Sequence, residues 1–400
     1  MNPKIGVYSD SYPDKRMILN KVPDCEYIQV QNRRENWGRI LRLLGKGFPG
    51  FQQSEIYAQG VHFTLDTPYC PEADVIHSFN RVCLGARNRW VATFEKTFPE
   101  YFSDEEEHLP ARIIKKQIPM IASQQCIALL PMSQWAYEYE MRLVGQYATH
   151  ADRKIIEDKM EVLYPPQAVL SSDDEIREKY RQKGRLHLFF VGGQLKRKGG
   201  VELIKVLNEL HKECDSFSAV IVGDLNNEYC NFRVSSKEKQ EIENIIDKAD
   251  WLEYHQSLSN DEILKCAKAA HIGFLPTMGD TFGFSLLEMQ ACGCPVVSTD
   301  RQALPEINHD DCGWVLDTRD ASNSHGDDFA HYSAKEVDEL SEIIQKNLKK
   351  AMTEILNHPG MIEEKAHCAL ERIKREHDQE QYASDLLRIY RKCKQDRSEE

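Results

Sequence analysis

Two acids and a glycine loop carry the chemistry that can be read first. Asp280 and Glu288 stand eight positions apart in the stretch Leu275–Ile307, LPTMGDTFGFSLLEMQACGCPVVSTDRQALPEI. The order of residue types predicts a strand end, a glycine loop, a short helix, a Gly-x-Pro stop and a buried strand. Phe282, Gly283, Phe284 and Ser285 lead into a helix start expected at Leu286. A helix N-terminus presents unpaired N–H groups and a positive dipole end, so it receives anions. A carboxylate one turn inside that helix is placed to grip a vicinal diol beside a bound phosphate. Dinucleotide-binding sheets divide the work in the same way, backbone for pyrophosphate and an acid for ribose. The pattern points to a sugar nucleotide.

A second loop complements the first. The run LHLFFVGGQLKRKGG places Gly192 and Gly193 after an apolar strand, then Lys196, Arg197 and Lys198, then Gly199 and Gly200 before a helical pattern. Glycines let a backbone approach a ligand, and a helix start with a lysine makes a phosphate pocket. Lys198 is the residue expected to face the phosphate. Lys196 and Arg197 are expected to face solvent. A plainer account exists for each acid. Ser285-Leu286-Leu287-Glu288 fits the capping box S-x-x-E, and Asp280 fits a turn. The combination of the acids with the glycine–lysine loop favours a ligand site.

The elements that must position these residues alternate along the chain. Strands are expected at 5–8, 27–30, 61–65, 75–79, 90–94, 127–131 and 162–164, then at 186–191, 219–223, 251–254, 272–275, 295–298 and 313–316. Several are continuous apolar runs, as parallel strands covered on both faces require. Helices are expected at 201–212, 238–249, 261–269 and 286–291. The alternation predicts α/β architecture with doubly wound parallel sheets. The prolines at 165 and 166, followed by a charged stretch with little to bury, predict a junction between domains 1–166 and 167–377. Apolar residues at helical spacing within Lys365–Arg397 predict an amphipathic surface helix pair, the segment 378–400 returning to the first domain. Ala321–His331 reads as a flexible excursion.

Composition narrows the classes. The net charge of −13 argues against a nucleic-acid partner. No apolar run reaches the length of a membrane span, and the first residues lack a signal-peptide pattern. A cytoplasmic place is expected. The 12 cysteines read as reduced thiols, and the Cys292-x-Cys294 pair lacks the partner ligands that a metal site requires.

At this point the chain resembles glycosyltransferase family 4, the retaining, sugar-nucleotide-dependent transferases of the GT-B fold. The family pattern of an acid, seven residues, then Glu, followed by A-x-G-x-P, appears as Asp280, Glu288 and Ala291-Cys292-Gly293-Cys294-Pro295. Leu304-Pro305-Glu306-Ile307 and Cys312-Gly313-Trp314 fit downstream, and Val191–Gly199 resembles the phosphate loop V-G-R-x(4)-K-G. The resemblance implies two Rossmann-like domains facing a cleft that closes over the donor. It implies hexosyl transfer to an acceptor hydroxyl, such as that of a glycan or lipid-linked precursor in polysaccharide biosynthesis. Glu288 would bind the ribose, Asp280 the transferred sugar, the Gly283–Ser285 backbone and Lys198 the diphosphate, with Leu286 at the helix start and Phe282 also among the donor contacts. Two departures stand out. The first acid is Asp280 where the family has Glu, and Gly193 replaces the loop arginine, a charge that Arg197 would have to supply. No D-x-D triplet follows a strand, so neither a metal nor a cofactor is expected beyond the nucleotide-diphosphate sugar as co-substrate.

In the first domain, DVIHSFN ends a strand with His77 and Asn80, and His77 matches a family histidine that touches the donor sugar. Glu95 follows the strand Trp90–Phe94 and is the candidate for acceptor contact. The segment Asn36–Phe51 mixes Trp37, Leu and Phe with Arg39, Arg42 and Lys46. It is expected to pack on its own sheet, a peripheral contact with an anionic membrane being the alternative. The rival readings are a sugar-nucleotide-binding scaffold without turnover, favoured by the two departures, and a sugar-nucleotide epimerase of the same fold.

Overall fold

Continuous apolar strands have only one stable use, a parallel sheet with helices on both faces, and the protein builds two such sheets. The computed structural model describes residues 2–8, 11–32, 40, 41, 43–45, 47, 48, 51, 68–83, 88–97, 111–181, 184–322 and 329–395. The chain divides into two compact units. One comprises Met1–Ser103, Glu107–Pro166 and Gln379–Glu400; the other comprises Gln167–Asp378 together with Asp104–Glu106.

In the first unit the strands are β1 (Lys4–Val7), β2 (Glu26–Gln29), β3 (Gln31–Asn32), β4 (Pro68–Tyr69), β5 (Val75–Phe79), β6 (Arg89–Phe94) and β7 (Cys126–Pro131). Five of them form a sheet in the order β2-β1-β5-β6-β7, every pairing parallel. The short β3–β4 pair is antiparallel. Val75–Ser78 and Trp90–Phe94 are buried, as strands covered on both faces must be. The helix Gln379–Gln395 packs on β5 and β7, and its apolar stripe of Tyr382, Leu386, Ile389 and Tyr390 is buried.

The second unit contains β8 (Leu186–Gln194), β9 (Phe217–Asp224), β10 (Leu252–His255), β11 (Ile272–Leu275), β12 (Val296–Thr299) and β13 (Gly313–Leu316). Their order is β10-β9-β8-β11-β12-β13, all parallel. Counted from β8, this is the doubly wound order 3-2-1-4-5-6 of dinucleotide-binding sheets. β11 and β12 are buried along their whole lengths. Each sheet thus has the α/β architecture that the alternation predicted.

Four expectations need correction. Residues 162–164 do not form a strand. The backbone there is tied to one neighbour only, through Glu161 N–H to Leu129 O and Leu163 N–H to Pro131 O, and the prolines that follow stop the ladder. The charged stretch after the prolines is not bare of core. It forms the helix Asp173–Arg181, which buries Ile176 against Gly293. From the same helix the Lys179 ammonium donates to the carbonyls of Ala270 at 2.9 Å and Gly293 at 2.8 Å. A lysine at two helix C-termini is favourable because their carbonyls lack intrahelical partners. The amphipathic pair near the C-terminus is the two helices Met361–Glu376 and Gln379–Gln395, whose apolar stripes are core rather than surface. The described part of Ala321–His331 ends in a 3-10 turn, Phe329–His331, whose Phe329 is buried.

The strand expected at 61–65 lies outside the described residues. So does much of Asn36–Phe51, but Ile40, Leu43, Leu44 and Phe48 are described and exposed, Leu43 to 69%. They do not pack on the sheet as expected. Among the described residues, no helix is long and apolar enough to cross a membrane.

Candidate functional site

In open parallel sheets ligands bind beyond the carboxyl ends of the strands where the strand order reverses. In the second sheet that point lies between β8 and β11. The loops leaving these two strands are the glycine–lysine loop, 195–199, and the acid loop, 276–283. Both loops singled out in the sequence therefore meet at one place.

The two loops are bonded to each other. The Arg197 carbonyl accepts from Met278 N–H at 2.8 Å and from the Thr277 hydroxyl at 3.0 Å. Thr277 in turn accepts the Gly279 N–H at 3.1 Å. Gly199 has φ +80°, and a Cβ there would collide with the Pro276 carbonyl. A side chain at 199 would both strain the backbone and push the loops apart. The Arg197 guanidinium donates to Gln194 and to the Gly279 carbonyl. It lies 5.5 Å from the ring centre of Tyr229 and 5.4 Å from that of Phe329. Arg197 is thus not solvent-facing as expected; it is wedged beside the acid loop.

Lys198 and Asp280 form an ion pair between the loops. Asp280 is 8% exposed, and its backbone N–H donates to Gln302 Oε1 at 3.1 Å. Burial pushes its carboxyl up, but the charges of Lys198 and Arg197, with hydrogen bonds from Lys198 and Phe282 N–H, outweigh burial and hold it below the usual carboxylate range. Asp280 is therefore an anion at neutral pH. A buried anion facing two cations has an alternative to water, and an incoming diphosphate offers the same cations a second partner.

The helix of the site runs Phe284–Ala291, two residues earlier than its apolar spacing indicated. Gly283, at φ +96°, is its N-cap. This shift decides the capping question. The S-x-x-E pattern closes as a capping box at Ser259/Glu262 and Ser333/Glu336, where the serine is the N-cap. At Ser285/Glu288 the serine already lies inside the helix, so no box forms. Glu288 stands in the second turn, half-buried, without the structural role that the pattern offered. The earlier start also corrects Leu286. Its N–H donates to Gly283 O at 3.0 Å and its side chain is buried, so it gives no amide to a ligand. The start of this helix is at Phe284 and Ser285, both half-buried. Phe282 is buried, with its ring centre 5.2 Å from that of Phe284.

Gly192 and Gly193 differ. A Cβ on Gly192 would meet Lys198 Cβ at 2.7 Å, so Gly192 lets the Lys198 stem pass. Gly193 is exposed with nothing within 4 Å of a Cβ, so the missing loop arginine is not excluded by space.

Lys196 was expected in solvent and is buried instead. Its ammonium bonds Glu202 at 2.7 Å and Glu238 at 3.1 Å. Lys205 shares Glu238 at 2.6 Å, and the Ser341 hydroxyl donates to Glu202 at 2.7 Å. Burial would lower the Lys196 pKa, but the two carboxylates outweigh it and raise it. The loop thus carries one cation inward as structure and the next but one outward to Asp280.

In the first unit His77 lies in the core. Its ring nitrogens are hydrogen-bonded to Tyr390 OH at 2.6 Å and Thr93 Oγ1 at 2.8 Å. It is fully buried, which drops its pKa to about 3. With both nitrogens engaged inside the unit, His77 has no face for a sugar, and its place as a catalytic candidate is withdrawn. Glu95 is half-buried just past the carboxyl end of β6, its N–H donating to Asn80 Oδ1 at 3.2 Å.

Sequence reasoning missed Thr277, Gln302, Tyr229 and Phe329. Polar or aromatic residues in separate loops have no spacing that links them.

Residues 172–353 match the family model of glycosyl transferases group 1. The matched span lies within the second unit and contains both loops, Asp280 and Glu288. An uncharacterised 41.2 kDa protein of the cps region of Klebsiella pneumoniae is 22% identical over 244 residues, 53% of this chain. The chain spans 64% of the length of that relative. Among solved structures, HepE from Anabaena in complex with UDP has a TM-score of 0.59 at 14% identity, covering 96% of this chain and 98% of its own. A UDP-forming trehalose-phosphate synthase from Burkholderia xenovorans has a TM-score of 0.60 at 12% identity, covering 98% and 99%. A glycosyltransferase from Rickettsia africae has 0.57 at 13%, covering 97% and 89%. These likenesses establish the fold as GT-B, two parallel-sheet α/β domains.

Proposed function

We propose that the protein transfers a hexosyl group from a nucleoside-diphosphate sugar to a hydroxyl of a glycan or lipid-linked precursor, with retention of configuration, as family 4 enzymes do. One observation carries the reading. At the point of strand reversal, the Lys198–Asp280 pair stands beside a helix start, with Glu288 further along the same helix. In this reading the ion pair is a resting arrangement. The diphosphate takes Lys198, and Asp280 turns to the sugar hydroxyls. Glu288 holds the ribose diol. Bond cleavage leaves an oxocarbenium-like sugar and growing charge on the departing phosphate, which Lys198 and the N–H groups at the Phe284 helix start stabilise where it develops. The departing phosphate takes the acceptor proton on the face it leaves. Glu95 orients the acceptor. The reaction in this form uses no metal and no resident cofactor.

A thermal-shift panel of UDP, GDP, ADP and CMP tests the donor site. One diphosphate should stabilise the protein, by about 2.7 kcal/mol at a hundredfold excess over Kd. Incubation with the matching nucleotide sugar should then release free nucleotide, and NMR of the glycoside formed should show the anomeric configuration of the donor. Binding without release would favour a scaffold that lacks turnover. Recovery of an epimerised nucleotide sugar would favour the epimerase.

A peripheral membrane contact belongs to the same proposal. The exposure of Ile40, Leu43, Leu44 and Phe48 favours it, and Arg39, Arg42 and Lys46 interleave with them in sequence with no acid from Asn36 to Phe51. Sedimentation with phosphatidylglycerol vesicles, lost in Leu43→Glu/Phe48→Glu, is the expected result; equal recovery with neutral vesicles or none with either rejects it.

A further inference from the structure

Gln302 occupies a backbone conformation that side chains avoid. Its φ is +47°, in the left-handed region, where a Cβ crowds the neighbouring carbonyl and only glycine sits freely. It follows Asp300 and Arg301 beyond the carboxyl end of β12, and it is buried. Such strain persists where the surroundings hold it, and it concentrates at functional sites. The holding contact here is specific. Gln302 Oε1 accepts the backbone N–H of Asp280 at 3.1 Å, across 22 positions of sequence and between the loops of two adjacent strands.

We infer that Gln302 is the positioning residue for Asp280, fixing its carboxylate for the sugar and thereby setting how the donor sugar is engaged. Asp280 lies between Gly279 and Thr281 on a loop without regular structure, so no ladder holds its peptide plane. Gly279 is pinned on one side by Thr277. The Gln302 amide oxygen accepts the next N–H, Arg197 donates to the Gly279 carbonyl of the same peptide, and these bonds together fix the direction in which the Asp280 side chain leaves the backbone. Asp280 is one methylene shorter than Glu, so a rotated peptide cannot be offset by side-chain reach. Thr299, on β12, reinforces the same loop by donating to Thr277 O at 2.7 Å. The inference rests on the reading of Asp280 as a sugar contact, but the first part of its test does not.

The test uses the full chain and three variants. Gln302→Gly keeps the backbone conformation without strain and lacks the acceptor. Gln302→Met keeps the length and lacks the acceptor. Gln302→Glu keeps an acceptor oxygen at the same reach. Amide hydrogen exchange over residues 276–283 of the unliganded protein is measured against β11 as internal control. Exchange in the loop should speed up at least tenfold in the Gly and Met variants and by less than threefold in the Glu variant, with β11 unchanged and the melting temperature of the Gly variant no lower than that of the parent. Equal exchange in all four proteins would overturn the inference, whatever the donor proves to be. With the donor found by the nucleotide panel, the Gly variant should bind the bare nucleoside diphosphate within twofold of the parent and lose at least tenfold in kcat for nucleotide-sugar turnover. Equal loss in diphosphate binding would also overturn it, because the effect would then be on the pocket and not on the sugar contact. Failure of every nucleotide to bind would reject the proposed function and leave the exchange result to stand on its own.

Discussion

The two sheets hold polar side chains in opposite conditions. At the end of the second sheet, Lys198 and Asp280 are charged, face each other across two loops and keep partners that a ligand can replace. Within the first sheet, His77 is neutral and each ring nitrogen has a permanent partner from the same unit. The difference is one of exchange. A polar group can serve a ligand only if binding replaces a partner of equal worth, and Tyr390 and Thr93 have no reason to yield. The same contrast recurs two residues apart on a single loop. Lys196 is fixed by Glu202 and Glu238 in the interior, whereas Lys198 holds an acid at the rim. One lysine shapes the loop; the other can leave its acid.

The largest expected effect separates these two lysines. Lys196→Met takes the cation from the buried Glu202 carboxylate, while Glu238 keeps Lys205, and should cost roughly 3 kcal/mol of stability, seen as a lower urea midpoint. Lys198→Met also removes a cation from a buried anion, but Arg197 still faces Asp280, so it should cost less, about 2 kcal/mol, yet abolish stabilisation by the diphosphate. Equal losses of stability would break the contrast. Their pH dependence also differs in sign. The folded Lys196 pKa is raised, so its contribution is present below the unfolded lysine value near 10.4 and is lost as pH rises through the folded one. The folded Asp280 pKa is lowered, so its contribution is present above the unfolded value near 3.9 and is lost as pH falls through the folded one.

Next in size is Glu288→Ala. The ligand-induced stabilisation of about 2.7 kcal/mol at a hundredfold excess should vanish. A drop in unliganded stability with the ligand shift intact would return Glu288 to a structural role.

A smaller effect sharpens the account of His77. Its pKa of about 3 in the folded protein lies below the unfolded value near 6.5. The unfolded chain therefore takes up a proton first, and stability falls by about 1.4 kcal/mol per pH unit as pH drops from 6.5 towards 3. His271, lowered to about 4 by burial and by the charges of His187 and Lys179, adds a similar slope over a narrower range. His77→Gln should flatten the acid limb between pH 6 and 4 by about one proton's worth, measured by urea titrations at each pH, and leave donor binding unchanged. The smallest effect is that of the half-buried Glu95→Ala: a stability loss of about 1 kcal/mol, unchanged nucleotide binding, and slower transfer to acceptor. Unchanged transfer would remove Glu95 from the site.

Much of this protein is present in its sequence because the relevant signals are local. A run such as Ile272–Leu275 is apolar at every position, and only a strand covered on both faces can bury it so. The Asp280…Glu288 spacing and the glycine–lysine loop are likewise properties of one segment each, and segments can be read without knowing what they meet. The start of the helix at Phe284 was less legible, because Gly283 fixes it through a backbone angle and the apolar period is silent about that. Three features were decided by tertiary structure alone. The strand order β10-β9-β8-β11-β12-β13 brought two loops together that sequence could only list. The inward turn of Lys196 depended on Glu202, Glu238 and Ser341 arriving from three different helices. The locking of His77 depended on Tyr390, 313 positions away. Sequence fixes what each segment can do alone; the partners that free or consume a polar group come from elsewhere in the chain, and only the packed fold selects them.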